Sequence, residues 1–116
     1  MSEQDQRRFP RISASIEIRY EYGAVYRTDH TMDLSARGLY IVTTSPLEIG
    51  SPVAVTFNLP GFDHDFRING RVVRNRLREA PEGPAGMGIE FLDVTREDEQ
   101  VLLQFVVQSQ LTQKGY

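Results

Sequence analysis

The sequence predicts an all-β domain, a small barrel, with one helix at its C-terminal end. Three observations lead there. Short runs alternate apolar and polar residues with the period of half-buried strands, as in Ala14, Ile16, Ile18 and Tyr20 interleaved with Ser15, Glu17 and Arg19. Glycine and proline interrupt these runs at Gly23, Gly38, Pro46, Gly50, Pro52, Pro60-Gly61 and across 80–86, as turns and loops do. After Asp93 the spacing becomes helical, with Val101, Leu102, Phe105 and Val106 on one side. A length of 116 residues with 40% hydrophobic content suits one domain with a real core.

Residues 1–6 are polar and expected to be disordered, and the domain is expected over 7–116. Residues 7–12 form an extended arm, because Pro10 disfavours helix at Phe9, and Phe9 is its apolar anchor, leaving the arginines free to move. A barrel is expected over 13–93. Its first strand covers Ala14 to Tyr20, and Glu21-Tyr22-Gly23 is the hairpin turn. The second strand, about Ala24 to Leu34, sets Val25, Arg27 and Asp29 on one face and Tyr26, Thr28 and His30 on the other. Its polarity points to an exposed or ligand-facing side. Leu39 to Thr43 is apolar and β-branched, hence a buried strand, and Val53, Val55 and Phe57 mark another. Phe66 to Arg78 is a long basic strand. Strict alternation puts Arg67 and Arg71 on one face and Arg74, Arg76 and Arg78 on the other, unless a bulge at Asn69-Gly70 shifts the register. Met87 to Leu92 is the last strand. The helix is expected over 95–112, with Thr95 as N-cap and Asp98 three residues on, and Glu97, Asp98 and Glu99 suit the positive end of its dipole. Its apolar side, extended by Leu111, packs across the barrel or serves a dimer or partner surface.

Composition excludes several functions. There is no cysteine, so no disulfide framework and no thiolate nucleophile. The net charge of −3 argues against a general nucleic-acid binder. No run approaches membrane-spanning length and the N-terminus has no apolar leader, which predicts a cytoplasmic protein without membrane insertion. An enzyme is not expected. His30 and His64 stand in no catalytic or metal spacing, Asp63-His64-Asp65 is a polar hairpin tip without further ligands, and Gly86-x-Gly88 lacks the rest of a dinucleotide fingerprint. No cofactor or metal is implied.

Two segments carry chemistry instead. Arg7-Arg8-Phe9-Pro10-Arg11 crowds three guanidiniums onto a stiffened arm, and twelve of the thirteen basic residues in the chain are Arg. The guanidinium fork matches phosphate oxygens and the O6/N7 edge of guanine. Asp33-Leu34-Ser35-Ala36-Arg37-Gly38 sets a carboxylate, a hydroxyl and a glycine at a break between strands. Asp33 can accept from the N1–H and N2–H₂ donors of guanine, Ser35 can bond the same base, and Gly38 permits a positive φ or a close backbone approach. Each segment alone reads as a charged stretch or an ordinary turn. Together they make a two-sided clamp for an anionic ligand carrying guanine.

The pair resembles the motifs of the PilZ domain family, Arg-x-x-x-Arg near the start and Asp/Asn-x-Ser-x-x-Gly after the second strand. Here they are Arg7 to Arg11, and Asp33, Ser35 and Gly38. Gly70-Arg71-Val72-Val73-Arg74 and Gly86-Met87-Gly88-Ile89-Glu90-Phe91 are similar to the family's paired late strands. The resemblance implies a six-stranded antiparallel, Greek-key-like barrel with a C-terminal helix, and a receptor for cyclic di-GMP. It implies Arg7, Arg8, Arg11, Asp33, Ser35 and Gly38 as ligand-binding residues; from the basic run Phe66 to Arg78, Arg71 or Arg74, favoured by position, is expected to add charge near the phosphates. Gln6 stands where many members have a further Arg, which points to one ligand per site rather than a stacked pair. Output is expected through an effector protein, and a homodimer is a further expectation. The alternatives are a protein-interaction module of the same fold that has lost the nucleotide, and a nucleic-acid binder using Arg67 to Arg78.

Overall fold

Residues 9–113 are described by the computed structural model, and within them alternation becomes seven strands and one helix. These are β1 (Ile12–Ser13), β2 (Glu17–Tyr22), β3 (Val25–Ser35), β4 (Gly38–Val42), β5 (Pro52–Asn58), β6 (Asp65–Arg76), β7 (Gly86–Phe91) and α1 (Arg96–Gln113). The six longer strands pair antiparallel in the order β3-β2-β5-β6-β7-β4, and β4 returns to β3, closing the barrel. The two-residue β1 adds to β3 beyond the end of β2, with Ile12 opposite Leu34 and Ser13 opposite Asp33. The tail 1–6, and Arg7 and Arg8 of the arm, lie outside the described residues.

The barrel interior is filled by one face of every long strand: Ile18 and Tyr20, Leu34, Leu39 and Ile41, Val53, Val55 and Phe57, Phe66, Ile68 and Val72, Met87, Ile89 and Phe91. Phe57 and Phe66 lie opposite each other and stack with centroids 4.6 Å apart. Each such side chain contributes about 1.5–3 kcal/mol relative to exposure, so the interior holds the strands in register.

Two irregularities decide which residues face outward. The β3–β4 register shifts between Thr31 and Asp33, and the β6–β7 register shifts between Val72 and Arg74, on either side of Val73. An extra residue in one strand turns everything after it to the other face. After Met32, Asp33 and Ser35 therefore point outward although Thr31, Asp29 and Arg27 point inward. After Val73, Arg74 and Arg76 share the outer face with Arg71, contrary to strict alternation. The bulge is at Val73; the pairing of β5 with β6 runs through Asn69 and Gly70 without a break.

The hairpin turn is Gly23-Ala24, one step later than expected, because Tyr22 still pairs with Val25. Arg27 and Asp29 are not on a ligand-facing surface: they close one end of the barrel from inside. Tyr20 Oη donates to Asp29 Oδ2 at 2.7 Å, and Arg27 Nη1 donates to the Ser45 carbonyl at 2.6 Å. Burial, and then the bond to Asp29, raise the Tyr20 phenol above its ordinary value of 10.0.

Helix α1 covers the other end. Thr95 and Asp98 form the expected reciprocal cap: the Asp98 N–H donates to Thr95 Oγ1 at 3.0 Å and the Thr95 N–H to Asp98 Oδ2 at 3.3 Å. Leu102 and Val106 are fully buried, and Phe105 meets Phe62 edge-on. Leu111 does not belong to this side and is half exposed. His64, at the β5–β6 tip, bonds Asp98 at 2.8 Å, tying that hairpin to the first turn of the helix.

Candidate ligand-binding site

The two motif segments meet on the outside of the barrel, where β1, β3 and β4 lie side by side. Pairing of Ser13 with Asp33 carries the arm past the start of the second motif. Arg11 then reaches Asp33, Nη1 to Oδ1 2.5 Å, with the carboxylate largely covered and the guanidinium half exposed. The arginine expected to move freely is thus held, in this structure, by the acid of the other segment.

Arg37 joins the segments a second time. Its guanidinium carbon lies 4.2 Å from the centroid of the Phe9 ring, a cation–π contact. Phe9 also packs on the core, which makes it the anchor of the arm as the sequence implied. The backbone of Arg37 is fixed on both sides: its N–H donates to Ser35 Oγ at 3.0 Å, and its carbonyl accepts from the Phe91 N–H at 2.9 Å. Ser35 is buried, and its hydroxyl oxygen shapes the turn. Gly38 has no positive φ; it serves the close approach. A Cβ there would fall on the Ile89 carbonyl oxygen of β7.

Strand register extends the site across the sheet in two rows. Ser35 lies opposite Gly38, Gly38 opposite Glu90, and Glu90 opposite Arg71. In the next row Asp33 lies opposite Tyr40, Tyr40 opposite Gly88, and Gly88 opposite Arg74. Arg71 Nη2 pairs with Glu90 Oε1 at 3.3 Å. Tyr40 is buried beneath the β6–β7 connection: its hydroxyl donates to the Pro84 carbonyl at 2.8 Å, and Arg76 Nη1 bonds the same two oxygens at 3.2 and 3.1 Å.

The structure therefore brings together Arg11, Asp33, Ser35 and Gly38, and sets Arg71 and Arg74 on the same outer face. Arg37 was missed from the sequence. Its place inside the second motif was the only signal, and its contact with Phe9 follows from the tertiary fold. Among the described residues no cluster of His, Cys, Asp or Glu is arranged to hold a metal, and no helix is long and apolar enough to cross a membrane.

The arrangement offers anion contacts from the arm and a carboxylate acceptor on the barrel, about 4.8 Å apart strand to strand. Comparison with known proteins gives the family and the fold. A family model described as PilZ domain matches residues 5–108. No curated protein sequence matches the chain. The inhibitor of motility MotI/DgrA of Bacillus subtilis is similar in structure, with TM-score 0.78 and 20% identity, over 92% of this chain and 52% of that one. This chain thus spans about half of that relative. The PilZ domain of Escherichia coli YcgR, solved with cyclic di-GMP, gives TM-score 0.69 and 21% identity over 90% of each chain. The PilZ domain of CeSA, from a cellulose-synthesizing bacterium, gives 0.59 and 24% over 87% of this chain and 98% of that one.

Proposed function

From the premise that this chain belongs to the PilZ domain family, we propose that it is a cyclic di-GMP receptor that signals through a partner protein. The observation that carries this reading is the meeting of the two motifs, with Ser13 paired to Asp33 and Arg11 bonded to Asp33. Solved relatives of the same fold that hold cyclic di-GMP support it.

In this reading Arg7 and Arg11 grip a phosphate and the Hoogsteen edge of guanine, with Arg8 assisting. Arg7 and Arg8 are assigned from the motif alone. Asp33 and Ser35 read the Watson–Crick edge, Gly38 keeps β4 against β7, and a β6 arginine, Arg71 or Arg74, adds positive charge. Binding exchanges the Arg11–Asp33 ion pair for ligand contacts, so the arm changes as the ligand enters. Ordering the arm opposes binding, which sets an expectation of about micromolar affinity. The chain acts as a cytoplasmic binding module rather than a catalyst. Its likeness to an inhibitor of motility supports an output by contact with another protein.

Isothermal titration of cyclic di-GMP into the folded protein tests the reading, with Arg11→Ala and Asp33→Ala alongside. Saturable binding near one ligand per chain, lost in both variants, is expected. A stoichiometry near two would show that Gln6 permits a stacked pair. Absence of binding to a folded protein would leave the interaction module that has lost the nucleotide.

A further inference from the structure

We propose that Arg74 is a further ligand contact, reaching the site from β6 across Gly88 to hold a phosphodiester; this rests on the receptor reading above. Cyclic di-GMP carries two phosphodiesters, and the arm accounts for one of them.

The first observation is where the side chain goes. Arg74 is exposed and sits on the outer face, in the row that runs through Gly88 and Tyr40 to Asp33. A Cβ at Gly88 would lie 2.9 Å from Arg74 Cγ and 3.0 Å from its Nε. The side chain therefore crosses the bare backbone of β7, and its guanidinium carbon ends 5.5 Å from the centroid of the Tyr40 ring. From the Arg74 backbone to that of Asp33 is three strand spacings, about 14 Å along the sheet. The side chain crosses the first of these spacings, so its charge stands over β7, nearer to Asp33 than its own backbone does.

The second observation is charge. Among the described residues Arg74 has no carboxylate within ion-pair distance. Its neighbours on the strand are committed differently. In the adjoining row Glu90 stands between Arg71 and Gly38 and pairs with Arg71, so that arginine's charge is offset before it reaches the motif. Arg76 spends its Nη1 on Tyr40 and Pro84 and secures the connection over Tyr40. Arg67 lies opposite Thr56 of β5, seven positions along the strand from Arg74 and beyond the part of β6 that pairs with β7. Where β7 carries Glu90 a carboxylate stands in the row to the site; where it carries Gly88 no β7 side chain stands there, and an uncompensated guanidinium lies in the row.

Titration of cyclic di-GMP into the full chain at fixed ionic strength tests the assignment, with melting curves to confirm folding. Arg74→Gln is expected to weaken binding about tenfold, the scale of one charged hydrogen bond. Gly88→Ala is expected to weaken it as well, because the added methyl displaces the Arg74 side chain and leaves its charge in place. Arg67→Gln removes the same charge from the same strand and is expected to bind within about twofold of wild type. Wild-type affinity in Arg74→Gln, an equal loss in Arg67→Gln, or a loss confined to Arg71→Gln would each overturn the proposal while the receptor reading stands. No binding by the wild-type protein would overturn both.

Discussion

Arg11 and Asp33, separated by 22 positions in the chain, hold each other at 2.5 Å on the outside of the barrel. The base of one motif thus neutralises the acid of the other. Because the pair is partly exposed, it is worth at most about 1 kcal/mol to the fold. Its members are worth more to a ligand, since a guanine edge on a carboxylate makes charged hydrogen bonds of about 1.5–3 kcal/mol. Asp33→Asn is therefore expected to leave the urea midpoint nearly unchanged and to weaken cyclic di-GMP binding about tenfold or more. Chemical denaturation and calorimetry on the same preparation check both halves. A large loss of stability with unchanged affinity would make the pair structural.

Gly38 behaves in the opposite way. A Cβ at this position runs into the Ile89 carbonyl, a backbone atom that cannot rotate away. Gly38→Ala should cost about 1–3 kcal/mol as β4 is pushed from β7. Any loss of ligand affinity should then follow from disturbed pairing. A methyl at Gly88 meets only the flexible Arg74 side chain and should cost much less. Urea unfolding of the two alanine variants side by side measures the difference.

Much of this was legible in the sequence, and the reasons for the rest are local. Alternation over Ile16 to Tyr20 and Val53 to Phe57, with the Thr95 cap, was enough to place strands and helix, because the interior rewards strict periodicity. Arg11 meets Asp33 because β1 and β3 pair. The faces of β3 and β6 were not legible beyond their bulges. An extra residue such as Met32 or Val73 has no compositional mark, yet it decides that Arg74 looks outward beside Arg71. Arg27 and Asp29 misled for a related reason: polar residues at interior positions read as surface unless the partner, here Tyr20, is known. The role of His64 depended on a helix that begins more than thirty positions later.

His64 and Asp98 form a long-range polar contact that ties a hairpin to the helix. Asp98 caps α1 and also bonds His64 of the β5–β6 tip. His64→Phe keeps a ring against Phe66 and removes the tie, and should cost about 1 kcal/mol. Asp98→Ala removes the tie and its part of the cap, and should cost about 2 kcal/mol. Urea unfolding followed by circular dichroism distinguishes the two. Equal losses would mean that Asp98 contributes nothing through the cap.

Tyr20 predicts the behaviour of the fold at alkaline pH. Its phenol is raised above 10.0, first by burial and then by the hydrogen bond it donates to Asp29. The sign follows from which state keeps the proton. Below pH 10.0 both folded and unfolded chains carry it, and this contribution to stability is constant. As pH rises past that value the unfolded chain releases its proton while the folded chain retains it. Unfolding is then favoured by each further rise in pH, until the folded phenol also ionises. The urea midpoint should accordingly hold steady up to about pH 10 and fall beyond it. Tyr20→Phe should begin lower near pH 8, by about 1 kcal/mol, because Asp29 loses its donor. Above pH 10 the variant should decline less steeply than the wild type, so that the two curves converge. Parallel curves would assign the alkaline loss to other groups and leave Tyr20 without a part in it.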